Sequence, residues 1–174
     1  LFKRYGATWS EQDKLTASDG SADDDFGWAV SINGDYAIVG AHLDDDGGND
    51  SGSAYIFKRD GGNWTEQPKL TASDGAPSDR FGYSVSIDGD YAIVGAPYDD
   101  DDGSKSGSAY IFKRDDVAWT EQVKLTATDA AQVDVFGHSV SIDGDYAIVG
   151  AYNDDDGGES SGSAYIFKRD GATW

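Results

Sequence analysis

The sequence predicts an all-β chain of four-stranded antiparallel units in tandem, and three observations lead there. A Phe-Gly pair recurs every 55 residues, at Phe26-Gly27, Phe81-Gly82 and Phe136-Gly137. Behind each pair the apolar residues alternate with period two, as in Phe81, Tyr83, Val85 and Ile87 spaced by Gly82, Ser84 and Ser86, which is strand periodicity. Between the apolar runs stand Asn33-Gly34, Asp88-Gly89 and Asp143-Gly144, residues that tolerate the positive φ of a two-residue hairpin turn.

Each copy reads as four strands. The first runs from Phe81 to Ile87. The second, Tyr91 to Ala96, is apolar on both faces, the pattern of a central strand covered on both sides. The third places Tyr110 and Phe112 on one face, Ala109 and Ile111 on the other, and ends in Lys113-Arg114. The fourth, Trp119 to Thr126, mixes Trp119 and Leu125 with Glu121, Gln122 and Lys124. Its equivalent in the preceding copy holds Pro68, which offers no ladder N–H and belongs on an outer edge. Four strands per repeat of this length fit the radial blades of a β-propeller better than the shorter coils of a β-solenoid.

The chain divides into residues 1–25, an outer strand and linker completing another blade; 26–80, the first repeat; 81–135, the second; and 136–174, a third without its outer strand. Phe2, Phe57, Phe112 and Phe167 are equivalent, so Leu1–Trp9 repeats the phase of Ile166–Trp174. Unpaired strand edges invite association. Two copies closing a six-bladed ring, an open head-to-tail fibre, and further blades from a longer parent chain are all open readings. Leu1 in place of Met suggests a processed product or a segment of a longer array.

The 33 acidic and 13 basic residues leave a net charge of −20. Such a field repels nucleic acid and anionic membranes and attracts cations and basic partners. The aromatic and β-branched residues at fixed spacing argue for order despite the acidity. With no cysteine, neither a disulfide framework nor a thiolate site can be built. No apolar run reaches the length of a membrane-spanning helix.

Phe-Gly at the start of each copy, with Val39-Gly40-Ala41, Val94-Gly95-Ala96-Pro97 and Val149-Gly150-Ala151 further on, resembles the FG-GAP repeat of integrin α-subunit propellers and bacterial surface proteins. The resemblance covers the whole chain. It implies a β-propeller in an extracellular or cell-surface protein, with a structural or adhesion role and no catalysis. Self-association, or a protein or glycan ligand, is expected; nucleic-acid binding and membrane insertion are not. The family often carries a calcium loop between its first two strands. Here that connection shrinks to Asn33-Gly34-Asp35 and its equivalents, so the usual metal site does not transfer.

Another acidic loop remains a candidate for Ca2+, because hard cations seek clustered carboxylate oxygens. Loops after the second and fourth strands fall on the same side of the unit, which brings Asp44 and Asp46 toward Asp24, Asp99 and Asp101 toward Asp79, and Asp154 and Asp156 toward Asp134. A solvated acidic surface is the other reading. The opposite side carries Lys58-Arg59, Lys113-Arg114 and Lys168-Arg169, so stacking of unlike faces is a further electrostatic possibility. Trp9, Trp64 and Trp119 recur in phase and offer sugar-stacking faces to a multivalent lectin, or packing surfaces between strands. Asn49 and Asn63 each open an N-glycosylation pattern. Glu11, Glu66 and Glu121 repeat threefold, which suits structure better than a single active site. His42 and His138 are not equivalent and accompany no nucleophile motif, so packing or surface roles are expected for both.

Overall fold

A computed structural model describes residues 1–116 and 118–174. It holds four antiparallel sheets and no closed ring. A two-stranded sheet pairs β1 (Phe2–Tyr5) with β2 (Thr8–Glu11). Blade 1 follows, with β3 (Ala29–Asn33), β4 (Tyr36–Ala41), β5 (Ser53–Asp60) and β6 (Asn63–Glu66) as a meander. Blade 2 repeats it with β7 (Ser84–Asp88), β8 (Tyr91–Ala96), β9 (Ser108–Asp115) and β10 (Ala118–Leu125). Blade 3 has β11 (Ser139–Asp143), β12 (Tyr146–Ala151) and β13 (Ser163–Lys168). Among the described residues no helix is long and apolar enough to cross a membrane.

The hairpins form in register. Asp88 pairs with Tyr91 and Asn33 with Tyr36, so the two turn residues are Gly89-Asp90 and Gly34-Asp35, one residue later than the dipeptide the sequence suggests, and it is the glycine that takes the positive φ. Strands β3, β7 and β11 lie side by side as the inner strands of successive blades. The double-sided apolar character of the second strand has its cause in this layering. In β8, Ile93 joins the apolar cluster facing blade 3, while Ala92, Val94 and Ala96 join the one facing blade 1.

The first strand is shorter than its alternation suggests. Phe81 stands outside β7 and forms a parallel bridge with Gly52 of blade 1. Arg80 and Gly82 both adopt positive φ, and the Tyr83 N–H closes a turn onto the Arg80 carbonyl. The Phe-Gly pair is therefore a turn laid against the neighbouring blade. The fourth strand also differs between copies. β10 runs eight residues with a bulge between Glu121 and Val123, whereas β6 stops at Glu66, ahead of the proline that lacks a donor. Beyond Pro68 the ladder resumes, with Ala54 and Leu70 exchanging both backbone hydrogen bonds.

Candidate functional site

The chemistry of this chain is concentrated in the seams between blades. In the first seam, Ile38 and Ile56 of blade 1 pack against Phe81, Val85, Ile87 and Phe112 of blade 2. The second repeats it with Ile93 and Ile111 against Phe136, Ile142 and Val149. Polar links accompany both. The Ile87 N–H donates to Ser31 Oγ at 3.3 Å and the Ile142 N–H to Ser86 Oγ at 3.2 Å.

The recurring glycines make these seams possible. A Cβ on Gly82 would stand 2.2 Å from the Ser53 carbonyl oxygen, and one on Gly40 would stand 1.9 Å from that of Gly82. Gly95, Gly107 and Gly137 repeat the arrangement at the next seam. Backbone meets backbone there, and no side chain fits.

Each seam also carries an aromatic clasp on its outer part. Tyr36 of blade 1 meets Trp119 of blade 2 edge to face at 6.0 Å, with the Arg114 guanidinium 4.3 Å from the Tyr36 ring. Tyr91, Trp174 and Arg169 form the same clasp one blade on. Cation–π contacts of this kind gain strength when partly desolvated.

A polar clamp binds the linker that enters each blade. Lys124, on the outer strand of blade 2, places its ammonium 2.8 Å from Asp74, 2.8 Å from Asp99 and 2.6 Å from Asp101. The Tyr110 hydroxyl stands 2.9 Å from Asp74 and 2.8 Å from Asp99. Glu121 accepts from the Ser73 N–H and hydroxyl at 2.9 and 2.8 Å. Blade 1 builds the same clamp from Lys69, Asp19, Asp44, Asp46, Tyr55, Glu66 and Ser18. Burial alone would lower the Lys124 ammonium, but its hydrogen bonds to Asp101, Asp74 and Asp99 raise it above the ordinary lysine range. Burial opposes ionisation of Asp74, yet the bonds from Lys124 and Tyr110 hold its carboxyl below the usual value.

Blade 3 has the acidic half of the clamp. The Tyr165 hydroxyl lies 2.9 Å from Asp129 and 2.7 Å from Asp154. Among the described residues no lysine or arginine pairs with Asp129, Asp154 or Asp156. The charges of Asp154 and Asp129 push the Asp156 carboxyl up.

The acidic residues singled out in the sequence thus sort into two groups. Asp44 and Asp46, Asp99 and Asp101, and Asp154 and Asp156 stand at the clamps. Their carboxylate partners are Asp19, Asp74 and Asp129, which the sequence reading passed over. Asp24, Asp79 and Asp134 instead accept backbone N–H groups of their own loops, from Ser21, Ala76 and Ala131 at 2.6 to 2.7 Å. Burial raises Asp79 to about 6, with Asp99 and Asp100 adding repulsion. The oxygens of Asp74, Asp99 and Asp101 come within 4.8 Å of one another, but the Lys124 ammonium stands among them. Calcium seeks six to eight oxygens at about 2.3–2.6 Å, and the donor set as arranged fits an ammonium.

The missed members carried a signal. Lys14, Lys69 and Lys124, like Tyr55, Tyr110 and Tyr165, recur with the period. Trp119 is partly buried in the seam, Trp64 packs with blade 1 and lies 5.6 Å from the Arg59 guanidinium, and Trp9 is exposed. Asn49 and Asn63 are exposed. His42 is buried, its ring 4.5 Å from Trp28 and 5.3 Å from Tyr83; His138 lies 5.0 Å from Tyr83.

Sequence comparison agrees with the seam architecture. The FG-GAP repeat profile matches residues 9–57, 64–112 and 119–167, most of the chain. The chain belongs to the FG-GAP repeat family. No curated protein matches it. Each matched FG-GAP unit starts on the tryptophan of one outer strand and ends on the phenylalanine of the next blade's third strand. The second and third units therefore each span a seam, where the Phe-Gly of one unit meets the Gly-Ala backbone of the preceding unit, as Gly82 meets Gly40 and Gly137 meets Gly95. FG-GAP repeats occur in extracellular and adhesion-type repeat modules.

Proposed function

We propose that this FG-GAP chain is a non-catalytic structural or adhesion-type module of the cell exterior that associates head to tail through its two outer blade faces. The exposure of equivalent residues supports this reading. Val85 and Ile87 are 8% and 4% exposed in the first seam, whereas Val30 and Ile32, their equivalents on blade 1, are 68% and 57% exposed. Ile38 and Ile56 are fully buried, whereas Ile148 and Ile166 on blade 3 are 43% and 70% exposed. One face is the knob and the other the socket of a contact the chain already makes twice.

Burying a large aliphatic side chain is worth about 1.5–3 kcal/mol, so four of them give such a junction a substantial drive. Tyr146 on blade 3 would receive Arg59 and Trp64 of the next copy, completing a clasp like those of Tyr36 and Tyr91. Two copies give six blades, inside the range of about 4 to 8 in which propellers close; an open fibre would use the same junction.

Light scattering over a concentration series tests the reading. The native chain should exceed its 18.5 kDa monomer mass. Gly150→Ala and Ile148→Asp should hold it at that mass, with thermal unfolding close to that of the native chain at dilutions where it is monomeric, because Ile148 is already 43% exposed and a Cβ on Gly150 meets closely only the rotatable Ser139 hydroxyl of its own blade, at 2.4 Å. A native chain that stays monomeric overturns the proposal. Electron micrographs of the assembled particles distinguish ring from fibre.

A further inference from the structure

Basic residues follow the repeat almost without exception. They stand at Lys3, Arg4, Lys14 and the equivalents of these positions, and otherwise only at Arg80 and Lys105. Asp25 and Val135 are the equivalents of Arg80, and Asp50 and Ser160 those of Lys105. The backbone does not follow these changes. It keeps φ of 55°, 57° and 54° at Asp25, Arg80 and Val135, and of 53°, 55° and 52° at Asp50, Lys105 and Ser160. Only the side chain presented from each left-handed turn differs.

The two exceptional cations meet at an exceptional ring. Tyr98, whose equivalents are Leu43 and Asn153, has the Arg80 guanidinium 4.7 Å and the Lys105 ammonium 5.0 Å from its ring centroid. Arg80 comes from the linker before β7, where its backbone N–H donates to the Asp50 carbonyl of blade 1 at 3.2 Å. Tyr98 and Lys105 come from the loop after β8, so the corner lies at the first seam. Neither cation forms an ion pair among the described residues, in a chain with 33 acidic residues. Arg80 is half-buried, its Nε without a hydrogen-bond partner, and Lys105 is exposed. Tyr83, 6.3 Å from Tyr98, adds a second half-buried ring.

We propose that Arg80, Lys105 and Tyr98 form a binding site for a carboxylate carried on a sugar ring, a uronic acid at the end of a glycan. A guanidinium takes a carboxylate in two parallel hydrogen bonds, and an ammonium beside it adds a second charge. The phenol rings next to these charges suit a ligand that also presents an apolar face, as a pyranose does through its C–H groups. Lys105, on its flexible stem, leaves the ring to meet the carboxylate, and Tyr98 takes the sugar face. The rest of the protein limits the charge of the ligand. A net charge of −20 repels a polyanion, so the site selects a single carboxylate over a sulfated or polyuronate chain. The site supplies a ligand class to an adhesion-type module and uses no residue of the head-to-tail junction.

Titration with glucuronate, followed by NMR, tests the proposal. Glucuronate should bind saturably and at least about tenfold more tightly than glucose or acetate. Arg80→Val, Lys105→Ser and Tyr98→Asn each install the residue that the third copy carries at the same place, so the fold already accommodates them. Each should weaken glucuronate binding by at least about tenfold with cooperative unfolding retained, whereas Lys3→Ser, an equal loss of charge at an exposed repeat position, should leave binding unchanged. Glucuronate bound no more tightly than glucose, or binding retained when all three residues are replaced, overturns the site. Acetate or a Gly-Glu-Gly peptide that matches glucuronate overturns the sugar assignment. A chain that binds glucuronate yet stays monomeric overturns self-association alone, and one that associates without binding overturns the site alone.

Discussion

Lys124 Nζ lies 2.8 Å from Asp99 Oδ2, and this pair joins the outer strand of blade 2 to the loop after its second strand. Asp99 is 3% exposed, so its charge has little water to compensate it. Lys124→Met should therefore destabilise the chain by about 2 kcal/mol, below the 3–5 typical of a fully buried broken pair, because Asp101 remains open to solvent. The variant leaves three convergent carboxylates, so its melting temperature should rise in calcium relative to chelator, and that of the native chain should rise less.

Gly95→Ala probes the seam within the chain. Its Cβ would stand 2.0 Å from the Gly137 carbonyl, a contact with backbone that cannot rotate away. A loss of about 3 kcal/mol or more is expected from overpacking, measured by urea unfolding. Gly150→Ala should cost far less, and the contrast isolates the neighbouring blade as the cause.

The tryptophans should behave unequally. Trp119→Ala removes the edge-to-face partner of Tyr36 and should cost about 2–3 kcal/mol, below the roughly 3–5 of a fully buried large aromatic because the ring is only partly buried. Trp9→Ala should leave thermal unfolding of the monomer unchanged, since the ring is 66% exposed.

Asp79 gives a pH dependence of definite sign. Its carboxyl is raised from 3.8 to about 6 in the folded chain, so the folded state binds the proton more tightly than the unfolded state. The stability this adds is full below about pH 4 and is lost as pH rises through 6. Asp79→Asn keeps an acceptor for the Ala76 N–H and should flatten this part of the stability profile between pH 4 and 6. Asp19 and Asp74, held below their ordinary value, act oppositely and lose their contribution in stronger acid.

Salt separates two modes of association. Each copy carries a net charge of −20, so apolar head-to-tail contact is opposed by repulsion that salt screens. Sedimentation should show tighter association as salt rises from low concentration. Stacking of an acidic face on a basic one would loosen instead.

The sequence by itself determined the blades. A fixed period, alternation in each strand and a turn dipeptide at each hairpin are local properties, and they place Tyr91–Ala96 and its equivalents at strand centres without reference to any distant residue. The clamp partners were less legible. Asp19 and Asp24 are both acidic, close in sequence and periodic, and only tertiary packing decided that Asp19 turns toward Tyr55 while Asp24 caps its own loop at Ser21. Tertiary structure also decided the role of the Phe-Gly pair. Gly82 reads from its neighbours as part of a strand, and its necessity lies in the Ser53 carbonyl of the preceding blade, a contact between backbones that no local pattern records.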